Sequence, residues 1–255
     1  MICELVSKSS PRPGLYDYVV DCPEIAGKAK PGQFVHVLCG GDTFLRRPIS
    51  ICDCPSNRFV RFVFEVRGKG TQSLAKVKVG QRLDILGPLG NGFDTEFEGG
   101  IPDGDIVLLG GGIGIFPLLK LAKSLPKKPI VMLGFRDEKN TVMIDEFSGA
   151  SEAVFVASDD GSIGCKGFVT DILKSRIASG GKIERVYTCG PKPMMRIAAE
   201  LCGENNIECI ISMEERMGCG VGACVTCTCT MKDGSRRRVC KDGPVFNGAE
   251  VDFDG

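Results

Sequence analysis

A single histidine, His36, stands in the 255 residues. It alternates with apolar neighbours between Gln33 and Leu38 as a strand residue does, so a hydrolase built on a histidine-activated nucleophile is not expected. Charge of either sign is not in excess: 32 Lys and Arg balance 32 Asp and Glu. That balance leaves no electrostatic footprint for nucleic acid or an anionic membrane. The longest apolar run, Ile106 to Leu121, is broken by Gly110, Gly111, Gly112 and Pro117, too soon for a bilayer span. Internal repeats, low-complexity tracts and a signal peptide are also lacking, which points to a cytoplasmic protein.

Cysteine, by contrast, is abundant. Of fourteen, five fall in the last forty residues and the rest are scattered singly. Disulfide frameworks belong to small secreted chains, whereas this pattern suits a reducing compartment and a metal site. Cys219, Cys224 and Cys227 have the C-x4-C-x2-C spacing of plant-type [2Fe–2S] ligation, whose fourth thiolate arrives from further along. Gly218, Gly220 and Gly222 allow backbone amides to turn inward toward the sulfur atoms. A structural zinc site is the competing reading, but it usually pairs C-x2-C units at longer separation. Two cysteines compete for the fourth position. Cys229 shares a strand face with Cys227, and Cys240 follows a hydrophilic turn at Lys232 to Ser235. Cys240 is favoured, because residues 219 to 229 alone would crowd four sulfurs into one loop.

The chain length accommodates two domains and a small appendix. Residues 1–98 read as short strands rich in Val, Ile and Phe, separated by turns at Pro11 to Gly14, Lys30 to Gly32, Gly40 to Asp42, Pro55 to Asn57, Gly80, and Gly87 with Pro88. That rhythm suggests an antiparallel barrel or sandwich. Residues 99–212 alternate strands (Asp105 to Leu109, Pro129 to Phe135, Ala153 to Ser158, Arg185 to Cys189, Glu208 to Ser212) with helices, as a doubly wound parallel α/β domain does. Residues 213–255 form the cysteine-bearing third piece.

Three further stretches carry chemistry. The strand ending at Leu109 runs through Gly110, Gly111, Gly112 and Gly114 into a helix. Glycines there admit a pyrophosphate to the helix N-terminus, although Pro117 replaces the third glycine of a G-x-G-x-x-G pattern. Arg136 and Asp137 follow the second strand. The acid suits a free ribose hydroxyl and the base a 2′-phosphate, so NADH and NADPH both remain open, with NADH favoured. Cys189, Gly190 and Pro191 end another strand at the same sheet edge, where Cys189 is either a nicotinamide contact or simply buried. In the first domain, Arg47, Pro48, Ile49 and Ser50 put charge, proline and hydroxyl into an apolar strand. Either a phosphate on Arg47 with Ser50 near a flavin ring, or an exposed salt-bridged edge, accounts for that combination. Gly68 to Thr71 offers a second phosphate-binding turn.

In that order, Arg47 to Ser50, Gly70 and Thr71, Leu86 to Phe93, Gly110 to Pro117 and Cys189 to Pro191 resemble ferredoxin–NADP reductase-like flavoproteins. The tail from Met213 to Cys224, with Val239 to Phe246, resembles more specifically the electron transfer subunit of type B dihydroorotate dehydrogenase. The resemblance covers essentially the whole chain. It implies FAD on the barrel, held by Arg47, Pro48, Ile49, Ser50, Val63, Phe64, Glu65, Gly70 and Thr71. The strand-end motifs above place NAD at Gly111, Gly112, Gly114, Pro117, Asp137, Cys189, Gly190 and Pro191, and the resemblance implies a [2Fe–2S] cluster on Cys219, Cys224, Cys227 and Cys240. Glu65 stands where the family often has a basic residue, with Arg67 close by as a substitute.

A nicotinamide delivers two electrons as hydride and a [2Fe–2S] cluster takes one at a time, so a flavin between them is chemically required. No base positioned to oxidise a carbon acid is recognisable. The chain is therefore expected to dock on a catalytic partner, which the resemblance identifies as an FMN-containing dihydroorotate dehydrogenase subunit in a heterotetramer of two plus two, serving pyrimidine biosynthesis. A related NAD(P)H–ferredoxin, sulfide or hydrogenase-type subunit is the alternative. Arg236, Arg237 and Arg238 either meet an acidic partner surface or screen a dianionic cluster.

Overall fold

The computed structural model describes residues 1–41 and 43–255; Asp42, the last residue of the expected turn at Gly40, lies outside them. The first six strands are β1 (Ile2–Arg12), β2 (Leu15–Asp21), β3 (Phe34–Leu38), β4 (Arg47–Asp53), β5 (Phe59–Glu65) and β6 (Arg82–Leu89). They close into an antiparallel barrel in the order β1-β2-β5-β4-β3-β6, with β6 returning to β1. Closure leaves no unpaired edge. Alternation sends Val35, Val37, Ile49, Ile51, Val60, Phe62 and Phe64 into one core. Two short helices, α1 (Pro23–Ala26) and α2 (Lys69–Leu74), flank the barrel. The Tyr18 hydroxyl fixes the second by donating to the Leu74 carbonyl at 2.7 Å.

The central piece comprises β7 (Asp105–Gly111), α3 (Phe116–Ser124), β8 (Ile130–Phe135), α4 (Ile144–Ala150), β9 (Ala153–Ser158), β10 (Cys165–Lys166), α5 (Val169–Ala178), β11 (Ile183–Cys189), α6 (Lys192–Glu204) and β12 (Glu208–Ser212). Its strands pair in parallel in the order β10-β9-β8-β7-β11-β12. The order reverses at β7, so the carboxyl ends of β7 and β11 flank a crevice of the kind that binds ligands in open α/β sheets. The stretch after β8, polar enough in sequence to suggest an unstructured loop, contains α4. That helix buries only Phe147, too little apolar periodicity to announce itself.

In the tail, β13 (Thr228–Thr230) and β14 (Arg236–Arg238) form a hairpin. Next, β15 (Val245–Asn247) joins β12 antiparallel, so the tail extends the central sheet. The barrel grips the same segment: Asn91 donates from Nδ2 to the carbonyls of Lys241 and Asp242, both at 3.1 Å.

Barrel and sheet meet through α3, which packs on β4. Lys123 reaches Asp53 at 2.5 Å. Arg61 on β5 pairs with Asp17 at 2.7 Å and, across the boundary, with Glu146 of α4 at 2.5 Å. Its side chain is 17% exposed and Asp17's 11%, so Arg61→Ala strands a nearly buried carboxylate. We expect a loss of about 2–4 kcal/mol, below the full range for a buried pair because Glu146 keeps its water. Chemical denaturation of the purified protein checks this.

Candidate redox centre

The loop from Gly218 to Cys227 coils around its own sulfur atoms. Cys219 Sγ accepts three backbone amides: Val221 at 3.4 Å, Ala223 at 3.2 Å and Cys224 at 3.4 Å. Cys224 Sγ accepts the Cys219 amide at 3.3 Å and the Thr226 hydroxyl at 3.2 Å. Cys240, arriving from beyond the hairpin, donates its amide to Cys227 Sγ at 3.4 Å. Its own sulfur accepts the Gly222 amide at 3.1 Å. Such N–H to sulfur bonds stabilise thiolate charge and tune a cluster held by those thiolates. Gly220 and Gly222, at φ +72° and +83°, supply the left-handed turns that aim these amides inward. Val225, a β-branched residue at φ 52° between two candidate ligands, concentrates backbone strain in the same loop.

Cys229 faces elsewhere. It lies in the hairpin core, where its thiol donates weakly to the Arg237 carbonyl at 3.6 Å. The other four sulfurs fall into two pairs, Cys219 with Cys224 and Cys227 with Cys240. Among the described residues no three His, Cys, Asp or Glu side chains converge as a single-ion site. In a binuclear iron cluster each of two irons takes two thiolates, and the two sulfur pairs match that requirement. The donor set fits a binuclear cluster. Hydrogen bonds led by the Thr226 hydroxyl draw the exposed Cys224 thiol down to about 6. Burial, and then the Cys227 sulfur, push Cys240 up to about 12. Cys224 is therefore largely thiolate at neutral pH, while Cys240 keeps its proton until a metal takes its place.

On the barrel, Pro48 and Ser50 point outward from β4 while Ile49 points into the core. The Arg47 guanidinium lies over the first turn of α2, where a Cβ on Gly70 would stand 2.8 Å from its Nε. Thr71 Oγ1 closes that turn, accepting the amides of Arg67 at 2.9 Å and Gly68 at 3.2 Å. The three β5 residues diverge. Val63 faces the nucleotide domain, and Phe64 points into the barrel against Tyr16 and Tyr18. Glu65 is clamped by Arg12 at 2.8 Å and Arg67 at 3.1 Å, which hold its carboxyl below the ordinary range against the opposing pull of burial.

At the crevice, the 3-10 turn Gly112–Ile115 packs on Cys189 and Gly190, and a Cβ on Gly114 would meet the Gly190 Cα at 2.5 Å. Gly111 packs against Pro191 and Met194. Pro117 begins α3, buried. Cys189 sits opposite Gly110, and burial pushes its thiol up to about 12. Asp137 is committed locally: its carboxylate accepts the Asn140 amide at 3.1 Å and Nδ2 at 2.8 Å, capping a short turn. A pocket of about 340 Å³ joins Gly112, Ile113 and Arg136 to Arg12, Glu65 and Arg67 of the barrel. The sequence pattern did not single out Met194, and it touched Asn91 only as part of the run Leu86 to Phe93. It did not mark His36 for this site either, although its ring abuts Gly220; no spacing signal points to any of them.

Comparison with known proteins comes to the same regions. Residues 214–252 match the family model described as the iron-sulfur cluster binding domain of dihydroorotate dehydrogenase B. The chain is 43% identical over 230 residues to the "dihydroorotate dehydrogenase B (NAD(+)), electron transfer subunit" of Caldanaerobacter subterraneus subsp. tengcongensis, covering 89% of this chain and 88% of that one. The namesake from Clostridium perfringens is 43% identical, with 94% and 93% covered. Among solved structures, an NADH-dependent reduced ferredoxin-NADP oxidoreductase studied for flavin-based electron bifurcation superposes with TM-score 0.88 at 33% identity, covering 100% of this chain and 91% of that one. A ferredoxin NADP+ reductase from Neisseria gonorrhoeae with bound FAD and NADP shares the fold alone, at TM-score 0.64 and 19% identity over 80% of this chain and 90% of that one.

Proposed function

The chain belongs to the family of dihydroorotate dehydrogenase B (NAD(+)) electron transfer subunits, and from that premise we propose that it carries electrons between NAD and an FMN-containing catalytic partner through FAD and a [2Fe–2S] cluster. The observation that carries this reading is the paired, amide-bonded arrangement of Cys219, Cys224, Cys227 and Cys240 beside a flavin-type barrel. FAD, when bound, would supply the conversion between the electron pair of one hydride and two single electrons. Arg47, with Gly70 and Thr71, supplies charge and backbone amides for its pyrophosphate, and Pro48 and Ser50 present the outer face of β4 to its ring. Gly111, Gly112, Gly114, Gly190 and Pro191 line the crevice that takes the nicotinamide nucleotide. Net flow in the assembled enzyme runs from dihydroorotate to NAD⁺, within pyrimidine synthesis, and the assembly is a heterotetramer of two plus two.

Iron, sulfide and flavin quantitation on the purified chain, followed by dihydroorotate-dependent NAD⁺ reduction with the catalytic subunit, tests this. Two irons and one FAD per chain and partner-dependent turnover are expected. A colourless protein, or a coloured one deaf to dihydroorotate with every FMN partner, removes the reading. The full-length likeness to a ferredoxin-NADP oxidoreductase favours one second reading, a subunit serving ferredoxin; ferredoxin reduction by NADH without any dihydroorotate subunit would select it.

The cluster rim exposes Val221, Val225 and Cys224, beside a cleft of about 790 Å³ lined by Arg236, Arg237 and Arg238. Arg238 is tied to Asp242 at 3.0 Å, which leaves Arg236 and Arg237 outward. An acidic patch on the partner would meet them. Reversing both to Glu is expected to weaken assembly by roughly ten-fold at low salt and less at high salt, measured by titration calorimetry against the catalytic subunit.

A further inference from the structure

Both ring nitrogens of His36 are buried, in a residue only 1% exposed, and the nearest backbone polar groups facing the ring belong to Cys219 and Arg46. Three observations locate the ring. His36 has the parity of Phe34, which packs with the tail around Cys227 and Cys240, whereas Val35 and Val37 enter the barrel core. It pairs across the sheet with Pro48 of the flavin-type segment, so their side chains share one outer face. Its Nδ1 lies 2.5 Å from where a Gly220 Cβ would stand, and Gly220 adjoins Cys219. The ring thus fills the gap between the segment Arg47 to Ser50 and the cluster loop. The imidazole brings two ring nitrogens capable of hydrogen bonding into that gap.

We propose that His36 is a positioning residue for electron transfer, seating the Cys219–Gly220 turn against the flavin-binding face of β4 through its buried ring. The inference rests on the cofactor assignment above. A ring at this place, packed on the flavin segment from one side and on the cluster loop from the other, sets the separation of the two redox groups. The absence of a side chain on Gly220 is the complementary half of the contact: φ +72° and the 2.5 Å approach both require glycine there.

The test uses the full chain purified with its catalytic partner. His36→Leu, His36→Gln and Gly220→Ala are compared for iron and FAD content, for the rate of flavin bleaching by NADH, for subsequent cluster reduction, and for the electron paramagnetic resonance of the dithionite-reduced cluster. Expected for His36→Leu are full FAD content, unchanged flavin bleaching, an altered cluster resonance, and flavin-to-cluster transfer slowed on the order of ten-fold. His36→Gln should recover part of the rate, since its amide keeps a donor and an acceptor. Gly220→Ala, which pushes the ring from the other side, should reproduce the altered resonance. Unchanged resonance and transfer in both His36→Leu and Gly220→Ala would overturn the proposal. So would joint loss of FAD and iron in His36→Leu that His36→Gln does not rescue, which marks a merely structural residue. A wild-type complex without FAD or iron instead defeats the cofactor assignment.

Discussion

Cys240→Ser is expected to abolish the cluster, while Cys229→Ser leaves it in place. The contrast follows from where each sulfur points. Cys240 Sγ accepts the Gly222 amide and stands beside Cys227, so it closes the second sulfur pair. Removing a ligand thiolate costs more than the 10- to 100-fold in metal affinity typical of a lost supporting contact, and iron content should fall by about ten-fold or more. Cys229, by contrast, donates to the Arg237 carbonyl inside the hairpin core. A serine hydroxyl can take over that bond, at a stability cost of about 1 kcal/mol for the more polar atom. Visible absorption and iron analysis of the two variants settle the matter. Cluster loss confined to the Cys229 variant would show that the loop rearranges around a different fourth ligand.

That question could not be closed from spacing. Cys219, Cys224 and Cys227 lie within nine residues, so their order alone fixes their proximity. Cys229 and Cys240 differ only in which side of a hairpin they occupy, a property of tertiary structure. The strand and helix rhythm was legible for a similar reason: β9, α5 and β12 begin and end where their apolar periods do. The tail strand β15 was not, because three residues carry no period and its pairing with β12 is decided by the preceding turns. His36 shows the limit most clearly. From Phe34 to Val37 every residue of β3 is buried, since the barrel covers one face and the tail the other. Without a polar side to the strand, alternation could identify a strand residue but not the face it serves. Side-chain parity also separates Phe64, which turns into the barrel, from its neighbours Val63 and Glu65. Asp137 stands at the spacing expected of a ribose contact, and its Oδ1 also caps the turn to Asn140, a short-range bond that spacing alone does not reveal.

The crevice offers the second large effect, a contrast between two glycines two residues apart. At Gly114 a Cβ would stand 2.5 Å from the Gly190 Cα, 2.6 Å from the Cys189 carbonyl oxygen and 2.6 Å from the Gly190 amide nitrogen. All three are backbone atoms of the strand end that forms the opposite wall, so no rotamer change relieves the clash. Gly114→Ala must push the 3-10 turn away from β11, at about 1–3 kcal/mol of overpacking. At Gly112 the same methyl would meet nothing within 4 Å, although φ is +56°. Gly112→Ala therefore incurs only the left-handed backbone cost, about 1 kcal/mol, and places its methyl in the pocket shared with Arg136 and Arg67. Both variants should raise the KM for NADH, on the order of ten-fold or more for Gly114→Ala because the binding wall itself moves. Only Gly114→Ala should also lower the melting temperature appreciably. FAD and iron contents should stay at wild-type level in both, since neither the Arg47 turn nor the cysteine loop touches this wall. Steady-state NADH oxidation with an artificial acceptor, read beside a thermal melt, separates the two effects. A Gly114→Ala protein with wild-type KM and melting point would mean that the β7–β11 crevice is not where the nicotinamide nucleotide is held.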